Sequence, residues 1–126
     1  MQHFLLATAG GAIGAGVRYL VNVAMATWLG TAFPWSTFLI NVTGSLAMGL
    51  VVGLLIGRES ENLALRIFLA TGILGGYTTF SAFSLDAATL FDRGQFAAAL
   101  AYVAGSVVLS ILALYAGLAL AKVITP

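Results

Sequence analysis

Thr71-Gly72-Ile73-Leu74-Gly75-Gly76-Tyr77-Thr78-Thr79-Phe80-Ser81-Ala82-Phe83-Ser84 is the stretch on which the reading of this chain turns. It lies inside an apolar segment from 63 to 91, long enough to cross the hydrocarbon core of a bilayer as a helix. Its three glycines and the hydroxylated, β-branched residues around them make a poor uninterrupted helix, so a break is expected near 75–79. Within a membrane, irregular backbone survives where the freed N–H and C=O groups line a cavity or hold an ion. Carbonyls at such a break suit a small cation, and the N-terminus of the half-helix that follows suits an anion. Phe80 and Phe83 open that half-helix three positions apart, on a shared face. An aromatic pair is usually packing. The positive edge of each ring nevertheless offers an anion a contact without a full charge, and conduction requires binding weak enough to release the ion.

The rest of the chain has the composition of a membrane protein. Of its 126 residues 61% are apolar and 7% charged, and the mean hydropathy is +1.08. A soluble chain of this length carries about 30 charged residues, whereas this one has five Lys and Arg and four Asp and Glu. So little polar surface excludes disordered, disulfide-scaffold and most enzymatic classes. A net charge of +1 carries no nucleic-acid signal. There is no cysteine for a disulfide or thiolate metal site, and the single histidine, His3, is terminal. A chain with so little reactive chemistry reads as a conduit rather than an enzyme.

At about 20 residues per crossing, the length allows four spans in an all-α transmembrane domain covering 1–126. They fall at about 4–29, 35–57, 63–91 and 95–121. The connections Gly30-Thr31-Ala32-Phe33-Pro34, Arg58-Glu59-Ser60-Glu61-Asn62 and Asp92-Arg93-Gly94 are short, so successive helices are expected to be antiparallel neighbours. Met1-Gln2-His3 is no basic leader, and Arg18 and Asn22 interrupt the first apolar run. It therefore reads as a retained span rather than a signal peptide. Loop charge sets orientation, but Arg58, Lys122 and Arg66 against Arg93 give only a weak bias. Insertion in one orientation and insertion in both, with pairing to an inverted twin, are both open.

Small and polar residues at four-residue spacing mark contact faces inside lipid. The second segment carries Asn41, Ser45, Gly49, Gly53 and Gly57, and the fourth carries Tyr102, Ser106 and Ser110. The glycines read as helix packing. Asn41 brings two N–H donors into the membrane, where they need a partner. The serines form a possible hydroxyl track, though serines in a span often bond back to their own helix. In the first segment Gly10-x-x-x-Gly14 leads one turn later to Arg18, an embedded cation that either snorkels to the interface or, as the favoured reading, stands at an aqueous vestibule. Asp86 is the only acid inside a span, and its partner is not legible.

Asn41-x-x-Gly44-Ser45-x-x-x-Gly49, with Gly72-x-x-Gly75-Gly76-x-Thr78-Thr79-Phe80-Ser81-x-Phe83-Ser84, resembles the Fluc (CrcB) fluoride channels of microorganisms, and the resemblance covers essentially the whole chain. It implies a passive fluoride channel in the cell membrane, built as an antiparallel, dual-topology homodimer with two pores at the subunit interface and protecting against fluoride toxicity. It further implies that Phe80 and Phe83 meet fluoride with their ring edges and that Asn41 donates hydrogen bonds to it. Thr37, Thr79, Ser81, Tyr102, Ser106 and Ser110 would be polar groups along or near the pores, and Arg18 would stand near a vestibule. The backbone carbonyls of Gly75 and Thr78, from both subunits, would hold a central structural sodium ion. Ala82 and Leu114 depart from the pattern, since each stands where the family commonly has a hydroxyl residue.

Two rival readings are weaker. A small dual-topology multidrug transporter depends on a glutamate deep in its first span, where this chain has Arg18 and no acid. A non-transporting assembly subunit explains the small-residue faces but not the phenylalanine pair, the polar tracks or the interrupted third span.

Overall fold

A computed structural model of the protein describes residues 1–56 and 62–125. The expected hydrophilic loop Arg58-Glu59-Ser60-Glu61, and Gly57 of the small-residue stripe, lie outside the described residues.

Among the described residues the chain is all-helical, with four helical segments long and apolar enough to cross a membrane. Helix α1 runs Gln2–Leu29 and α2 runs Trp35–Leu55. The third segment is composite: α3 (Leu63–Arg66), a π-helical stretch (Ile67–Leu74), α4 (Gly75–Tyr77) and α5 (Phe80–Asp92). Helix α6 runs Phe96–Ile124. Thr78 and Thr79, between α4 and α5, have extended backbone, with φ/ψ of −75/158° and −155/122°. Gly75 and Gly76, within the range where an interruption is expected, are helical. The widening of the helix over Ile67–Leu74 has no counterpart in the expectations from sequence.

Turn chemistry separates α5 from α6. Gly94 has φ 73°, a conformation that costs a side chain and suits glycine. Its N–H donates to the Phe91 carbonyl at 2.9 Å, and that of Gln95 donates to the Leu90 carbonyl at 3.0 Å. Together they take up carbonyls orphaned at the helix end.

Two helix pairs carry the packing. Helix α2 lies along α6, and α1 lies along the π-helical stretch and α4. The first pair interlocks through glycine on both sides: a Cβ on Gly49 would overlap the Leu114 carbonyl oxygen, and one on Gly117 would overlap that of Leu46. The second pair does the same, since a Cβ on Gly14 would overlap the Ile73 carbonyl oxygen. Backbone contact of this kind replaces, inside lipid, the hydrophobic drive that packs soluble helices. Gly10, Gly14, Gly49 and Gly53 therefore have the packing role expected of them. A buried cluster of Phe83, Leu90, Ala99 and Tyr102 joins α5 to α6, with Phe33 and Phe38 against it. Outside these contacts large apolar side chains such as Phe4, Tyr19, Trp28 and Tyr115 are exposed, which suits a surface solvated by acyl chains.

Candidate functional site

The site is built around the extended pair Thr78–Thr79. Asn41, on the second turn of α2, clamps it with both ends of its carboxamide: Nδ2 donates to the Thr79 carbonyl at 2.9 Å, and Oδ1 accepts from the Thr79 N–H at 2.9 Å. The side chain thus imitates a neighbouring backbone strand. One Nδ2 hydrogen remains after this pairing, and Asn41 borders the cavity described below. Thr79 then caps α5, its Oγ1 accepting from the Ala82 N–H at 3.2 Å, the usual office of threonine at this position. Ser81 Oγ lies 3.2 Å from the same hydroxyl.

These caps release two carbonyls. In a continuous α-helix the Thr79 N–H would close on the Gly75 carbonyl and the Ala82 N–H on that of Thr78. The first goes to Asn41 and the second to the Thr79 side chain. The Thr78 carbonyl instead accepts a long hydrogen bond, 3.4 Å, from Arg18 Nη1 on α1. Arg18 is thereby placed beside the extended pair.

A cavity of about 330 Å³ opens next to the pair. Its walls include Asn41 and Ser45 from α2, Thr78 and Thr79, Phe80 and Phe83 from α5, and Ser106 and Ser110 from α6. None of its lining residues is charged. The two phenylalanine rings lie 5.3 Å apart at 43°, but their settings differ: Phe83 is 8% exposed and Phe80 76%. The hydroxyl oxygens of Ser106 and Ser110 are buried and have no hydrogen-bond partner. Neither serine bonds back to its helix, unlike Thr8, Thr27, Thr43, Ser84 and Thr89, whose hydroxyls each donate to the carbonyl four residues earlier. Met48 from α2 and Val107, Ile111 and Leu114 from α6 add apolar side chains to the lining.

Tyr102 does not continue this wall. It is 1% exposed, with its ring 5.3 Å from that of Phe83 and edge-on to Phe33 at 5.6 Å. Its hydroxyl donates to Asp86 Oδ2 at 3.1 Å. Asp86 and the buried Thr37 border a second cavity of about 190 Å³, beside the α1–α2 turn. The candidate residues therefore divide. Asn41, Thr78, Thr79, Phe80, Phe83, Ser106 and Ser110 come together at the larger cavity, while Thr37 stands at the smaller one with Tyr102 reaching Asp86 beside it. Ser81, Gly75 and Arg18 border neither, although Ser81 and Arg18 touch the extended pair.

A family model described as "CrcB-like protein, Camphor Resistance (CrcB)" matches residues 5–118. The chain belongs to the CrcB family. It is 57% identical over 122 residues to the "Fluoride-specific ion channel FluC" of Chelativorans sp. (strain BNC1), covering 97% of this chain and 98% of that protein. It is 53% identical over 124 residues to "Fluoride-specific ion channel FluC 2" of Nitrobacter hamburgensis, covering 98% and 100%. With the "Fluoride-specific ion channel FluC" of Rhodopseudomonas palustris (strain BisB5) it shares 54% over 122 residues, covering 97% and 98%. With its four apolar helical segments, this CrcB chain is a multi-pass membrane protein.

Two features of this CrcB chain escape reasoning from sequence. One is the double engagement of Asn41, because a carboxamide's partner 38 residues away leaves no local trace. The other is the Tyr102–Asp86 bond, which takes the tyrosine out of a stripe that helical spacing alone assigns to one face. The cap at Thr79 did carry a signal, a threonine directly before a new helical run.

Proposed function

We propose that this chain is a passive, fluoride-selective channel of the cell membrane that lets the anion leave the cytoplasm and so protects against fluoride toxicity. The observation that carries the reading is the pair of buried, unpartnered hydroxyls, Ser106 and Ser110, facing an uncharged cavity that also holds the Phe80–Phe83 pair. A buried hydroxyl without a partner costs about 1–3 kcal/mol. A small anion passing along the wall accepts hydrogen bonds from both serines, and the remaining Asn41 hydrogen and the positive ring edges add to its hold. With no lysine or arginine in the lining, the anion is drawn in without being trapped. The names of the CrcB relatives support fluoride as that anion.

The working unit is an antiparallel homodimer of dual topology, with its pores between the copies. The weak loop-charge bias and the exposure of Phe80, a ring bordering the cavity, support it. The extended pair supports a structural sodium ion at the centre. Carbonyls released from the helical ladder at Gly75 and Thr78 are hard, neutral oxygen ligands suited to an alkali cation, and a second copy doubles their number. When bound, the ion supplies positive charge that ties the two copies together. Thr37, Tyr102 and Asp86 form a polar end to the path and Arg18 lies near its vestibule. Fluoride crosses membranes as neutral HF and ionises at the higher cytoplasmic pH, so an anion-selective pore drains it down its electrochemical gradient.

Purified protein in fluoride-loaded liposomes tests the proposal. Fluoride efflux on adding a potassium ionophore, read with a fluoride electrode, is expected to exceed chloride efflux by orders of magnitude. Equal fluxes of the two halides, or none, would defeat it.

A further inference from the structure

We infer that Arg18 opposes cation binding at the Thr78 carbonyl, and so sets how tightly the extended pair holds its ion; the inference rests on the cation reading given above. The Thr78 oxygen is released from the helical ladder because the Ala82 N–H goes to Thr79 Oγ1, and the guanidinium of Arg18 already leans on it at 3.4 Å. A cation on the same oxygen sits only a few ångströms from that guanidinium. Two positive charges that close, partly shielded from water, repel strongly. Among the described residues no carboxylate pairs with Arg18 to cancel its charge.

A shift of α1 away from the third segment would give up close backbone packing. Arg18 stands one turn beyond Gly14, where α1 meets the third segment backbone to backbone: a Cβ on Gly14 would overlap the Ile73 carbonyl oxygen and lie 2.8 Å from the Tyr77 nitrogen. One turn earlier, a Cβ on Gly10 would lie 2.9 Å from the Gly72 Cα. The flexible side chain can move without that loss. The 3.4 Å contact is at the long limit of a hydrogen bond, so leaving it costs little. Cation binding therefore turns Arg18 away from the carbonyl, and removing the guanidinium tightens the site.

The test is a sodium titration of full-length protein in detergent, with N-methyl-D-glucamine holding ionic strength constant and the melting temperature as readout. Wild type, Arg18→Gln and Arg18→Lys are compared. The Arg18→Gln midpoint for sodium is expected to fall about tenfold or more, while Arg18→Lys, which keeps the charge, stays within about threefold of wild type. An unchanged or raised midpoint in Arg18→Gln, with sodium still stabilising every protein, overturns the role of Arg18 alone. Melting indifferent to sodium in all three proteins overturns the cation reading and this inference with it. If Arg18→Gln does not fold, an Arg18→Lys midpoint lowered as far as tenfold shows that charge is not what opposes the ion, and also refutes it.

Discussion

Replacing Ser106 by alanine separates a hydroxyl that holds the fold from one that serves an ion. Ser106 is 4% exposed and its Oγ has no partner. A buried serine that donates within the protein contributes about 1 kcal/mol, and its loss also strands the acceptor. Here nothing is stranded. Removing an unsatisfied hydroxyl relieves part of its desolvation cost, so Ser106→Ala should leave stability unchanged or raise it by up to about 1 kcal/mol. The effect on transport has the opposite sign. A hydrogen bond to a charged acceptor is worth about 1.5–3 kcal/mol, and 1.4 kcal/mol is tenfold, so flux at low fluoride should fall by about 10- to 100-fold. Stability is read by thermal unfolding in detergent and transport by fluoride efflux from liposomes of matched protein density. If Ser106→Ala melts well below wild type while its flux is undiminished, the hydroxyl belongs to the fold and the reasoning from its missing partner is wrong.

Other perturbations follow from the same geometry. Asn41→Ala removes two hydrogen bonds to Thr79 and should cost about 2–3 kcal/mol in denaturant unfolding, with Asn41→Asp between it and wild type because the Thr79 N–H keeps its acceptor; equal stability of all three would show that the clamp contributes nothing. Phe80→Ile and Phe83→Ile should both reduce efflux, and of the two Phe83→Ile should lower the melting temperature of the chain more, since its ring is buried and that of Phe80 exposed; normal flux in both would return the pair to packing. Gly49→Ala must push α6 off α2 at the Leu114 carbonyl and should cost about 1–3 kcal/mol, whereas Gly11→Ala, which has open space around it, should be neutral or stabilise by about 0.5–1 kcal/mol; thermal melts that rank the two variants the other way would contradict the packing described.

Much of the architecture is legible in the sequence because lipid restricts the choices. Four apolar segments of spanning length need no partner to be recognised, and Gly94 marks its turn through a backbone angle other residues avoid. Glycines at four-residue spacing predict close contact, and Gly10, Gly14, Gly49 and Gly53 all make it. What fails to show are side-chain partners that depend on which helices become neighbours. Tyr102 shares a helical stripe with Ser106 and Ser110, yet its long side chain ends on Asp86 while theirs stop short at the cavity. Asn41 announces a need for partners without saying that the backbone of the next segment will meet it. The π-helical stretch Ile67–Leu74 contains Gly72 and several β-branched residues, a composition equally compatible with an ordinary α-helix.

The exposed ring of Phe80 bears on how much working protein a cell obtains from a given number of chains. If the wall that this ring begins is finished only by another copy, then at sparse expression activity rises with the square of chain number, and halving synthesis removes about three quarters of it by mass action. A defective chain that still inserts would also capture intact partners, so one damaged gene copy beside a sound one could depress resistance by more than half.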